Sequence, residues 1–286
     1  MPPAAGRCRT PDGCLEYLVT GTGSPVTLFA HGLGSGIAAT RPLTGGVSGT
    51  RVLMHLRGHG SSRAPDGREP AQWTYRDFGA DLRSVADHVG ATRAFGVSLG
   101  AGALLTAAAA DPDRFQRLVL HLPAVLDRPR SDAAQQRWDD LRALAQAADV
   151  AGIERLLSEE LPPARRNDRE SRAYLAARAQ GLVDSPAMWL PRLLVGATVL
   201  PDLSALARVR VPVLVSTQDG DLVHPVHIAE QLVAALPFAQ LRVFPPAALV
   251  TARRELRAAF AGFLNDGGNV GPPSSAAGPL PAPAGR

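Results

Sequence analysis

Hydrophobic and polar positions alternate in type along this chain with a recurring rhythm. Val26-Thr27-Leu28-Phe29-Ala30 is a short apolar run that stops at His31-Gly32-Leu33-Gly34, and residues 51–56 form a second that stops at Arg57-Gly58-His59-Gly60-Ser61-Ser62. Runs of that length bounded by glycine read as buried strands entering loops. Between Tyr75 and Val89 the period changes: Tyr75, Phe78, Leu82, Val85 and Val89 fall three and four apart, which predicts one apolar face of a helix ending at Gly90. Residues 93–97 then read as a strand, 101–110 as a helix stopped by Asp111-Pro112, and 117–122 as another strand. Strands alternating with helices at this spacing predict an α/β fold, with a mostly parallel central sheet covered by helices on both faces.

From Pro123 to about Arg208 the strand pattern lapses. Residues 138–148, 153–161, 169–181 and 187–199 read as helices, with Pro162-Pro163 and Pro186 as separators, so an all-helical insertion over 123–208 is expected. The rhythm returns with a strand at 211–217, a helix at 226–236, a strand at 241–244 and a closing amphipathic helix at 253–264. This divides the chain into a core of 1–122 and 209–264 around the insertion. Residues 265–286 are Gly, Pro, Ala and Ser with almost no large apolar side chain, too little burial to offset ordering, and are expected to be disordered.

Composition narrows the classes. The 286 residues are 45% hydrophobic, enough for one catalytic domain with an insertion. No apolar run approaches the roughly 20 residues of a membrane span, and residues 1–7 lack the apolar core of a secretory signal, so a cytoplasmic protein without a membrane partner is expected. The net charge of +4 comes from arginines scattered among 26 acids, without the basic stripe that nucleic-acid binding requires. Cys8 and Cys14 flank Thr10-Pro11-Asp12-Gly13, which has the chemistry of a tight turn between two strands. Their proximity permits a disulfide across that hairpin, whereas a reducing compartment favours two free thiols. Histidines and cysteines are not grouped at ligand spacing and no dinucleotide fingerprint occurs, so neither metal nor cofactor is expected.

The chemistry concentrates at Gly96-Val97-Ser98-Leu99-Gly100, at a predicted strand-to-helix junction. A sharp turn there strains the serine and leaves no room for side chains two positions to either side, which Gly96 and Gly100 accommodate. With the hairpin contributing the first two strands, His31-Gly32-Leu33-Gly34 follows the third, Arg57-Gly58-His59-Gly60 the fourth, the pentapeptide the fifth, and Asp219-Gly220-Asp221-Leu222-Val223-His224-Pro225 the seventh. From about Tyr17 to Leu264 this set resembles the α/β-hydrolase superfamily with a helical cap. The resemblance implies Ser98 as nucleophile, and an oxyanion hole built from the backbone N–H groups of Leu33 and Leu99. It also implies an acid four residues before a helix-opening proline, which is Asp221 with Asp219 as runner-up. His31 and His59 read as structural residues of their loops. His55 replaces an acid often present before Arg57, so that loop is expected to be held differently.

The same resemblance places the base in the loop after the eighth strand. Here that loop is Val243 to Thr251, Leu249 stands at the expected position, and every histidine lies at or before His227. A serine hydroxyl without an adjacent base is a poor nucleophile. Three readings follow. A histidine elsewhere substitutes, His121 or His224 being the candidates on the ligand-binding side of such a sheet. Alternatively, the fold binds a small molecule without hydrolysing it, or catalyses a cyclisation or rearrangement that needs only the oxyanion hole. The expected partner is a small apolar ester, lactone or amide, in a pocket to which Trp138, Tyr174, Met188 and Trp189 could contribute.

Overall fold

The computed structural model describes residues 3–11, 13–62, 73–185 and 196–266. Eight strands form one sheet: β1 (Ala4–Thr10), β2 (Gly13–Thr20), β3 (Val26–Ala30), β4 (Thr50–Met54), β5 (Arg93–Val97), β6 (Arg117–His121), β7 (Val213–Gln218) and β8 (Ala239–Phe244). Their order is β1-β2-β4-β3-β5-β6-β7-β8. β1 and β2 form an antiparallel hairpin and β2 runs antiparallel to β4, while every pairing from β4 through β3 to β8 is parallel. The α/β class and mostly parallel sheet read from the pattern are thus observed. Cys8 and Cys14 lie on the hairpin as free thiols.

The continuous apolar runs are explained by what lies on each side. Successive strand residues point to opposite faces, and here both faces are buried. Leu28, Ala30, Val52, Met54, Ala94, Leu118, Leu120, Val213 and Val215 join one core cluster. Their alternates Phe29, Leu53, Phe95, Val119 and Leu214 join a second. The first is completed by α2 (Tyr75–Val89), α3 (Leu99–Ala110) and α7 (Val226–Ala235), through residues such as Phe78, Leu104 and Leu232. The second is completed by α9 (Arg253–Asn265) through Leu256, Phe260 and Leu264.

Local signals set the helix ends. Thr74 N–H donates to Asp77 Oδ2 at 2.7 Å, the return half of a capping box at the start of α2. Gly90 closes that helix in the left-handed region, φ 65°. Between β6 and β7 stand α4 (Asp132–Gln146), α5 (Val150–Ser158) and α6 (Arg169–Asp184). α4 begins six residues before the start predicted at Trp138, because Ser131 caps it, its Oγ accepting from Ala134 N–H. The helix read at 187–199 lies mostly outside the described residues, and its described end, Gly196–Val199, is not helical. Of the predicted tail, Asn265 instead ends α9, and residues 267–286 lie outside the described residues. Among the described residues no helix is long and apolar enough to cross a membrane.

Two short helical segments matter for the site: α1 (Ile37–Thr40) after β3, and α8 (Ala248–Thr251) in the loop after β8. Arg57, in the loop after β4, makes a two-pronged ion pair with Asp81 of α2, Nε to Oδ2 at 2.5 Å and a terminal nitrogen to Oδ1 at 2.7 Å. Both side chains are buried, so this pair fixes the loop rigidly above the sheet.

Candidate active site

The sheet delivers Ser98 at the carboxyl end of β5. Its backbone is at φ 49°, ψ −106°, a conformation that costs a non-glycine residue on the order of 1–3 kcal/mol and persists only where its surroundings impose it. They do so here from three directions. Ser98 N–H donates to His121 C=O on the neighbouring β6 at 2.9 Å, Gly102 N–H returns to Ser98 C=O at 2.9 Å as α3 begins, and Gly100 N–H donates to His31 C=O at 3.1 Å. A Cβ on Gly100 would lie 2.6 Å from Ala30 O, so only glycine lets the turn approach β3 this closely.

β7 delivers the partners of this serine. Past Gln218 the chain turns through Gly220, at φ 71°, and Asp221 closes the turn on itself: Oδ1 accepts from the N–H groups of Val223 at 2.9 Å and His224 at 3.0 Å. This short Asx-type turn brings the side chains at positions 221 and 224 together. His224 Nδ1–H donates to Asp221 Oδ2 at 2.9 Å, and His224 Nε2 lies 2.9 Å from Ser98 Oγ. Ser98, His224 and Asp221 thereby form one continuous hydrogen-bonded chain. Burial pushes the Asp221 carboxyl up, but the charge of His224 and hydrogen bonds from His224 and Gln218 outweigh it and hold the group well below the usual carboxylate range.

These positions sort the histidines and acids named from sequence. The seat after β8 is filled by Leu249, which lines the same cavity as Ser98. Of the two histidines named as substitutes, His224 is the one beside Ser98, and it comes from the loop that also carries Asp221. His121 is the one corrected. Its Nδ1 hydrogen-bonds Ser216 Oγ at 3.0 Å and its ring packs edge-on to Phe260 at 5.1 Å. Burial, then the nearby charge of His224, lowers its pKa to about 3, so it is a neutral core histidine. Asp219 is exposed and caps its own turn through Gly220 N–H at 2.9 Å.

Gln218 carries no motif and was not singled out in the sequence. Its Nε2 donates to Asp221 Oδ2 at 2.8 Å, while its Oε1 accepts from Ala248 N–H at 3.0 Å at the start of α8. It therefore ties the acid to the loop after β8.

The loop after β3 faces the serine: a Cβ on Gly32 would meet Ser98 Cβ at 3.5 Å. Among the described residues, neither Leu33 N–H nor Leu99 N–H donates to a protein acceptor. Three histidines brace this loop. Leu56 N–H donates to His31 Nε2 at 3.1 Å, Gly34 N–H to His59 Nε2 at 3.2 Å and Ile37 N–H to His55 Nε2 at 3.1 Å. The opposite nitrogens of His31 and His59 donate to Gly32 C=O and Arg57 C=O, and that of His55 pairs with Glu16. Burial, with neighbouring histidine charge, holds His31 well below its ordinary pKa, and burial above all lowers His59 to about 4. Both rings are neutral clasps.

From the other side, Arg178 of α6 donates to Leu33 C=O at 2.8 Å. Helices α4, α5 and α6 contribute Trp138, Leu141, Leu157, Tyr174 and Arg178 to a cavity of about 110 Å³ that also holds Ser98, Asp221 and His224. Met188 and Trp189 lie outside the described residues. Among the described residues, no group of three His, Cys, Asp or Glu side chains is placed to hold a metal ion.

The family model described as alpha/beta hydrolase fold matches residues 25–248. The chain belongs to the alpha/beta hydrolase fold family. Solved α/β-hydrolase structures superpose along nearly the whole chain. MGS-M2, an alpha/beta hydrolase enzyme from a Medee basin deep-sea metagenome library, has a TM-score of 0.75 at 16% identity over 91% of this chain and 98% of its own. The carboxylesterase CesB from Bacillus subtilis has a TM-score of 0.73 at 17% identity over 92% of each chain. The enol-lactonase from Burkholderia xenovorans LB400 has a TM-score of 0.68 at 19% identity over 89% of this chain and 97% of its own. At these identities the α/β-hydrolase fold is what they share with it. No curated protein matches the chain in sequence.

Proposed function

We propose that this α/β hydrolase is a serine hydrolase of carboxylic esters or lactones, working through Ser98, His224 and Asp221. The observation that carries the reading is the hydrogen-bonded chain at 2.9 Å and 2.9 Å from Ser98 Oγ through the imidazole to the Asp221 carboxylate. Ser98 Oγ attacks the substrate carbonyl as His224 Nε2 takes its proton, and Asp221 stabilises the resulting imidazolium without itself being protonated. The tetrahedral oxyanion accepts from Leu33 N–H and Leu99 N–H, with the N-terminus of α3 adding a favourable dipole. In comparable enzymes one such donor contributes about 3 kcal/mol. Collapse releases the alcohol, protonated by His224, and leaves an acyl group on Ser98. Water, activated by the same imidazole, then removes it. Helices α4 to α6 serve as a cap whose apolar side chains exclude bulk water from the reacting atoms.

The intact chain argues for hydrolysis over a binding-only role, since a pocket that merely binds has no need of an imidazole aligned on a strained serine. A fluorophosphonate probe should label Ser98 in the wild-type protein and leave Ser98→Ala unmodified. Short 4-nitrophenyl esters and γ- or δ-lactones should be turned over. Absence of both labelling and turnover in correctly folded protein would leave the binding-only reading standing.

A further inference from the structure

The catalytic cavity opens into a groove of about 500 Å³ that runs between α6 and the segment around α1. Both are bordered by Ser35, Ala39, Leu43, Tyr174, Arg178 and Leu249, so these residues mark the junction. The walls are mostly apolar, and the charges on them are nearly all matched. Asp221 faces His224 at 2.9 Å, Glu160 faces Arg137 at 3.2 Å, and Glu170 of the groove faces Arg253 at 3.0 Å. Burial, then the charge of Asp221, raises the pKa of the Glu160 carboxyl, while Arg137 and, more weakly, the charge of Arg178 oppose that rise.

Arg178 is the exception. Among the described residues no carboxylate lies within ion-pair distance of it, and its one hydrogen bond to protein is the donation to Leu33 C=O. A guanidinium has five N–H donors in a planar fork suited to a carboxylate. A half-buried cation with donors to spare, at the mouth of an otherwise matched cavity, is complementary to an anion carried by the substrate.

Taking Ser98 as the nucleophile, we infer that Arg178 is a specificity-determining residue that binds a substrate carboxylate, so that the preferred substrates are short esters or lactones bearing a free carboxylate on the acyl side. The small cavity around Ser98, about 110 Å³, limits the acyl part to a short chain.

The test compares 4-nitrophenyl hydrogen glutarate with 4-nitrophenyl pentanoate, which match in chain length and differ in the terminal charge. The wild-type protein should favour the glutarate in kcat/KM by about tenfold or more, mostly through KM, and Arg178→Gln should bring the ratio to about one. A wild-type ratio at or below one overturns the inference. So does an Arg178→Gln variant that loses rate equally on both esters, since that is the signature of a residue that only holds the Leu33 loop. Calorimetric titration of Ser98→Ala with monomethyl glutarate and with methyl pentanoate reads the same preference without turnover, and Arg178→Gln in that background should abolish it. If neither nitrophenyl ester is hydrolysed, the reading of Ser98 falls, and the titration still decides the role of Arg178.

Discussion

Replacing His224 by alanine separates chemistry from folding in this molecule. The imidazole stands 2.9 Å from Ser98 Oγ and bridges it to Asp221, so its loss removes the proposed base while leaving the serine, the proposed oxyanion amides and the cavity in place. In triads of this kind the loss of the base costs on the order of 10⁴ to 10⁶ in kcat, or about 5–8 kcal/mol of transition-state stabilisation. The fold should tolerate the change. Asp221 keeps the N–H groups of Val223 and residue 224 on Oδ1 and Gln218 on Oδ2, so its carboxylate is not stranded. A destabilisation of about 1–2 kcal/mol is expected, set by one lost hydrogen bond and a small void. The assay is kcat on 4-nitrophenyl butyrate beside a thermal melt, with fluorophosphonate labelling of Ser98 as a turnover-independent readout. A His224→Ala protein with a near-native melt that retains more than a tenth of wild-type kcat would refute the assignment of the base.

Three further outcomes follow from the same geometry. Asp221→Asn should lower kcat by about 10³ to 10⁴, whereas Asp219→Asn, at an exposed turn, should stay within about twofold; equal effects in steady-state kinetics would mean the acid is misassigned. Leu249 lies on the cavity wall with Ser98, so Leu249→His in the His224→Ala background should recover at least tenfold of the lost kcat, and no recovery would mean that this seat does not reach the serine. Stability should fall with pH in a defined window. Burial lowers His59 to about 4 and His121 to about 3, against about 6.5 in the unfolded chain. Below 6.5 the unfolded chain binds protons that the folded one refuses. Stability present above that pH is therefore lost as pH falls towards those values, at up to about 1.4 kcal/mol per unit for each ring. Urea midpoints that do not change between pH 7 and pH 5 would contradict neutral, buried rings.

Much of the architecture is legible in one dimension because its causes are local. Leu28, Phe29 and Ala30 are all apolar because alternate residues meet two different cores, and that alone marks a sheet covered on both faces. Gly96 and Gly100 announce the turn at Ser98 because side-chain volume is forbidden there, whatever the rest of the protein does. The beginning of α4 is hidden for an equally local reason: its first turn is capped by Ser131 and buries only the small Ala134, so the first large apolar residue of its buried face, Trp138, comes later than the helix start.

Which of the two candidate imidazoles stands beside Ser98 was not legible in that way. An Asp and a His three residues apart occur in many loops, and the pair has a shared purpose only if the intervening turn is tight and the sheet sets a serine opposite it. Asp221 makes the turn tight by accepting the N–H of His224, and the parallel order β5-β6-β7 brings Ser98 within 2.9 Å of an imidazole 126 residues later. The role of Gln218 is hidden for the same reason, since what it joins, Asp221 and Ala248, are neighbours only across the end of the sheet. Side-chain volume and periodicity are properties of a chain, and they determined the strands, the helices and the strained serine. Which imidazole stands beside that serine is a property of distances between segments, and only the packed sheet decided it.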